Sequence, residues 1–183
     1  MDLIELINEK RFLGQEFLTY LWHRSETEGS IDVNGDSVEI AFDYTMQLEC
    51  GEGEACRRIA TKGTPTASAS ELVEAKTAIA VGKKIEQAKI LMSVNGAEFW
   101  LTANGRLLSL TGVKLPKVAP TEDAGDDETL SRQGLVLERI GLITIVTRTI
   151  DAIYRDFLML RTDPQAWAAE VKKISAWAEK GAI

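Results

Sequence analysis

Three Asn-Gly pairs, Asn34-Gly35, Asn95-Gly96 and Asn104-Gly105, constrain this chain more than any other feature. A two-residue type I′ hairpin turn needs positive φ at both central positions, which Asn and Gly take most readily. Alternating apolar residues flank the pairs. Ile31 and Val33 precede the first, and Val38, Ile40 and Phe42 alternate with Glu39, Ala41 and Asp43 after it, on a strand that runs to Leu48. Ile90 to Val94 and Glu98 to Ala103 flank the second, and the third leads into Arg106 to Leu110. The pattern predicts an antiparallel β-meander.

Helical patterns surround it. Phe12 to Glu26 places Leu13, Phe17, Tyr20 and Leu21 at the spacing of one helical face, and Phe12, Leu18 and Trp22 widen that stripe almost all round. A helix so apolar needs cover on more than one side, which marks it as the central packing element. Asp2 to Lys10 reads as a short amphipathic helix, and Gly14 as a bend between the two. The cap-forming run Thr66 to Ser70 opens a helix over Glu71 to Ala88, with acids in its first turns and lysines near its end, as the helix dipole favours. Thr129 to Arg161 carries a broad apolar stripe from Leu135 to Phe157 and reads as one long helix. Asp163-Pro164 begins a final one, by the rule of an N-cap followed by proline. The fold class is α+β. Residues 1–117 form an α+β core, 118–128 an acidic linker, and 129–183 a helical segment packed on that core, in a single domain overall.

Composition limits the function. Twenty-eight acidic against 21 basic residues give a net charge of −7, so the molecule as a whole does not attract nucleic acid or anionic lipid, and a DNA-binding claim must name a local patch. The N-terminus has no signal-peptide pattern, and Ile140 to Val146 is far shorter than the ~20 apolar residues of a membrane span. These features suggest a cytoplasmic protein with Cys50 and Cys56 reduced. Two cysteines and one distant histidine do not make a zinc site. The acidic run Pro116 to Glu128 lacks the ligand spacing of a calcium loop, so no metal or cofactor is expected. His23 has no nucleophile or orienting carboxylate in its pattern and reads as a surface or capping histidine. No phosphate loop appears, because Gly82-Lys83-Lys84 lies inside a helical pattern without the P-loop spacing. No catalytic residues are assigned, and an enzyme is not expected.

The basic residues are few and grouped. Arg57, Arg58 and Lys62 lie on a short strand, Ala55 to Thr61, and its exit. Lys76 and Lys83 are seven apart on the next helix, hence on one face, with Lys84 beside them. Strand and helix are consecutive, and one positive stripe across both would suit phosphate-backbone contact without base reading. Physics alone favours an ordinary lysine-rich helix end. Arg148, Asp151 and Arg155 have the spacing of intrahelical ion pairs. Trp167 and Trp177 on the last helix offer a surface for a protein partner, although packing on the body is the simpler account.

Several blocks in order resemble the recombination-associated RdgC family of bacterial DNA-binding proteins. They are FLGQEFLTYLW and RSE between Phe12 and Glu26, the helix ending in Gly82-Lys83 with the strand Lys89 to Val94, the strand Asn104 to Leu115, and the long C-terminal helix. Together they span roughly residues 10 to 160. The resemblance implies a homodimeric ring that encircles double-stranded DNA without sequence preference and restrains recombinase action, which would make the protein nucleoid-associated. Arg57, Arg58, Lys62, Lys83 and Lys84 would then face the DNA. Typical family members are longer, and this chain begins about where their central part does. The alternative is a protein-interaction or scaffold domain that keeps the fold without DNA binding.

Overall fold

The computed structural model describes residues 13–49, 58–61, 73–117 and 128–182. The predicted helix Asp2 to Lys10, the cysteine-flanked turn, the cap-forming run Thr66 to Ser70 and residues 118–127 of the acidic linker lie outside them. In chain order the described elements are α1 (Gly14–Glu28), β1 (Ile31–Val33), β2 (Asp36–Glu49), β3 (Arg58–Thr61), α2 (Val73–Ala80), β4 (Lys84–Val94), β5 (Ala97–Asn104), β6 (Ser109–Lys114), α3 (Glu128–Thr162) and α4 (Pro164–Gly181). The fold is α+β, as the alternating patterns imply.

All strand pairings are antiparallel, in the order β1-β2-β4-β5-β6, with β3 also paired to β2. Strand β2 is long enough to hold β1 against its start and β3 against its end, while β4 runs along its other side. Two of the Asn-Gly pairs make the expected hairpins, with positive φ at Asn34, Gly35, Asn95 and Gly96. The third does not. There the Asn104 side chain accepts hydrogen bonds from the Arg106 and Leu107 amides at 2.9 and 3.1 Å, and the chain turns on to Leu108 before β6 begins at Ser109. Arg106 therefore lies in the turn and not on the predicted strand.

Gly105 answers a different need. A Cβ at Gly105 would meet the Ile85 carbonyl oxygen at 2.9 Å and the Gln15 backbone at 3.0 Å, and one at Gly14 would collide with the Gly105 carbonyl. The first turn of α1 rests backbone to backbone on the β5–β6 turn. Gly14 is thus a close-approach residue.

One face of the sheet is apolar. Val38, Ile40, Met46 and Leu48 of β2, Ala88, Ile90, Met92 and Val94 of β4, and Phe99, Leu101 and Ala103 of β5 are buried there. Helix α1 covers this face, and its seven consecutive residues Phe17 to His23 are all buried. No side of that stretch meets water, which fits its all-round apolarity. An aromatic cluster joins α1 to α3 and α4. Phe17 lies 5.0 Å from Tyr154 and 5.5 Å from Phe157, and Trp167 stands edge-on to Phe157 at 5.6 Å. Such geometries add roughly 0.5–1.5 kcal/mol per pair beyond area burial.

The long helix is observed as α3. Asp163 caps α4 by accepting from the Gln165 and Ala166 amides, with Pro164 in the first turn. Helix α2 is shorter than predicted. It ends at Ala80, Gly82 takes φ 91°, and the Gly82 and Lys83 amides bond back to Ile79 and Ala78 at 2.9 and 3.0 Å. These two bonds form a Schellman stop. Residues 84 to 88, expected as helix, are the first half of β4.

Candidate nucleic-acid interface

Of the six basic candidates, Arg57 and Lys62 lie outside the described residues. Arg58 opens β3. In the sheet register it pairs with Glu49 of β2, and Glu49 pairs on its other side with Lys84 of β4. Backbone register alone therefore places Arg58 and Lys84 at one level, with a single strand between them.

The structure removes Lys76 from the expected stripe. Its residue is 9% exposed, and its ammonium lies 2.6 Å from Glu26, 5.0 Å from the Trp177 ring centre and 5.8 Å from that of Trp22. The Glu26 carboxylate also accepts from the indole N–H groups of Trp22 at 2.8 Å and Trp177 at 3.1 Å. One carboxylate thereby draws donors from α1, α2 and α4. Lys76 is a structural cation that pins the terminal helix, inaccessible to a phosphate backbone. Because α2 stops at Ala80, Lys83 does not share its face either. It sits half-buried in the turn before β4 and is engaged within the fold.

Lys84 donates to Glu16 at 2.9 Å, and Arg161 of α3 donates to the other oxygen of the same carboxylate at 2.9 Å. Burial acts to raise the Glu16 pKa, but the hydrogen bonds and charges of Arg161 and Lys84 outweigh it and hold the carboxyl below its ordinary value. The Lys84 side chain stays 44% exposed, against 15% for Arg161. Lys84 can turn toward an anion while Arg161 keeps Glu16 paired.

Three further expectations are decided in different ways. His23 is buried, not a surface residue, with its ring 5.5 Å from that of Trp177. Its Nδ1 lies 3.3 Å from Glu170 but off the line of a hydrogen bond. Burial pushes its pKa below the ordinary 6.5, although the Glu170 charge opposes this. Trp167 and Trp177 are half-buried against Phe157 and Trp22, which is the packing on the body that the simpler account expects. Arg155 pairs with Asp151 at 3.3 Å on the exposed side of α3, while no such bond joins Arg148 to Asp151.

The exposed apolar surface lies elsewhere. Val136, Leu137, Ile140, Ile143 and Ile145 on the first half of α3 are 41–68% exposed, whereas Val146, Ile150, Ile153 and Phe157 further along are buried. The apolar stripe of the sequence crosses this boundary without a break, so periodicity alone gave no sign of it. Among the described residues no group of three or more His, Cys, Asp or Glu side chains is placed to hold a metal ion, and no helix is long and apolar enough to cross a membrane. Comparison with protein-family models, with curated proteins and with solved structures gives no match to this chain.

Proposed function

We propose that this chain is a non-catalytic, sequence-independent binder of double-stranded DNA of the RdgC type, acting as a homodimer in recombination or replication. The observation that carries this reading is the shared register of Arg58 and Lys84 on either side of Glu49. Two strand spacings separate them by about 10 Å, a length along which a duplex presents roughly six phosphate charges. Lys83 precedes Lys84, so Arg58, Lys83 and Lys84 put three basic positions at this end of the sheet in a chain that is acidic overall. Point charges of this kind grip backbone and do not read bases.

The test is fluorescence anisotropy with two unrelated labelled duplexes, each at low and at physiological salt. Equal affinities that fall steeply with salt are expected, with Arg58→Glu weakening both duplexes alike while the melting temperature holds. Absence of binding at low salt refutes the reading. The second reading, an interaction or scaffold domain, then takes over. It is favoured by the exposed aliphatic half of α3, since contiguous apolar patches on a monomer commonly mark partner sites.

A further inference from the structure

Helix α3 carries two apolar rows. Leu142, Val146, Ile153 and Phe157 lie along one side and pack on the body. About a quarter turn round the helix, Val136, Ile140, Ile143 and Thr147 follow one another at spacings of four, three and four residues, and all four are exposed. That spacing is the seam of a helix packed lengthwise on another helix. Further along, the same seam runs on through Ile150 to Tyr154, where Phe17 of α1 meets the tyrosine ring at 5.0 Å in a T-shaped contact. The seam therefore has a helix against its far end, and among the described residues it has none against its first half.

Two features fit this open half to burial by its own copy. Its hydroxyls are already satisfied. Thr147 Oγ1 donates to the Ile143 carbonyl at 3.0 Å, and beside it Thr144 Oγ1 donates to the Ile140 carbonyl at 2.8 Å. A partner can cover both threonines without stranding a donor. The row is also uncharged, with Glu138 and Arg139 set round the helix from it. A face that pairs with itself meets each of its own charges in the same sign, so an uncharged row is what self-pairing requires.

We infer that the row from Val136 to Thr147 is the interface between two copies of this chain, paired about a two-fold axis. With Leu137 beside it, the row leaves roughly 400 Å² of aliphatic surface uncovered, the size of patch that is commonly functional on a monomer. Two copies bring about 800 Å² together, and the flanking Gln133, Arg139 and Thr144 carry the total toward the roughly 1,200 Å² of a small specific interface. The inference rests on the proposed function only in taking the chain as a homodimer, and it requires no DNA.

The test is sedimentation equilibrium of the full chain over a thousandfold range of concentration. The wild type is expected at twice the 20.1 kDa of one chain, alike at low and at physiological salt, because no charge crosses the interface. Ile140→Glu and Ile143→Glu should each weaken the pair at least about a hundredfold, since a two-fold interface meets every substitution twice. Circular dichroism should show the wild-type helix content in both, as the positions are exposed. Ile145→Glu, exposed on the opposite side of α3, should leave the dimer as it is. A dimer that survives both row variants, or one lost equally in Ile145→Glu, overturns the inference and leaves DNA binding to its own assay. A monomer at every concentration overturns it as well, together with the homodimer. A lower melting point for Ile140→Glu would then assign the cover of the row to a segment of the same chain, and an unchanged one to a different protein. A dimer broken by the row variants, in a chain that binds no duplex at low salt, upholds the interface and refutes DNA binding alone.

Discussion

Replacing Glu26 by alanine tests the claim that Lys76 is structural. The carboxylate is the sole acidic oxygen within bonding distance of the buried ammonium among the described residues, and it also receives two indole N–H groups. Removing one partner of a fully buried pair costs about 3–5 kcal/mol, because the other charge is left without compensation. The Glu26 side chain keeps 30% of its surface in water, so part of the vacated space can be hydrated. A loss of about 2–3 kcal/mol is the resulting expectation, equivalent to a melting-point drop of roughly 5–10 °C. Lys76→Met should cost less, about 1 kcal/mol, since Glu26 would keep both indole donors and its water. The assay is urea unfolding followed by tryptophan fluorescence, in which Trp22 and Trp177 report from either side of the site. A Glu26→Ala loss below about 0.5 kcal/mol, or a Lys76→Met loss that matches it, would refute the argument.

Gly14→Ala should destabilise the fold by about 2–3 kcal/mol despite alanine's better helix propensity, because its Cβ meets Gly105 backbone that cannot swing aside; a thermal melt checks this. His23 predicts acid sensitivity. Its folded pKa lies below 6.5, so the unfolded chain binds the extra proton, and stability that is complete above about pH 6.5 is lost as pH falls through the folded value. Urea midpoints between pH 5 and 8 should show this decline and His23→Gln should flatten it, ahead of any loss from Glu16, which begins only below about pH 4.5.

Where local chemistry decides structure, the sequence was readable. The Asn34-Gly35 and Asn95-Gly96 turns, the Asp163-Pro164 helix start and the all-round apolarity of α1 each depend on residues within a few positions of one another. The errors have two causes. Asn104-Gly105 has the same letters as the two hairpins, yet its glycine is required by Gln15 and Ile85, which approach from distant parts of the chain. The α2 boundary was missed for another reason. The Lys, Glu, Gln and Ala residues after Gly82 suit helix by propensity, but a glycine at positive φ closed the helix first, and pairing of β4 between β2 and β5 overrode what followed.

The basic residues were the least legible part of the chain, because a lysine's role depends on its partner and the partner is a tertiary fact. Lys76 and Lys84 lie only eight residues apart in sequence, inside one predicted helix. One is sealed between two tryptophans on Glu26, and the other shares Glu16 with Arg161 and keeps an exposed side chain. Counting cations ranks these two residues equally, whereas pairing each cation with its nearest acid separates them. On that criterion Lys76, sealed against Glu26 on α2, drops out of the stripe in which sequence spacing had put it.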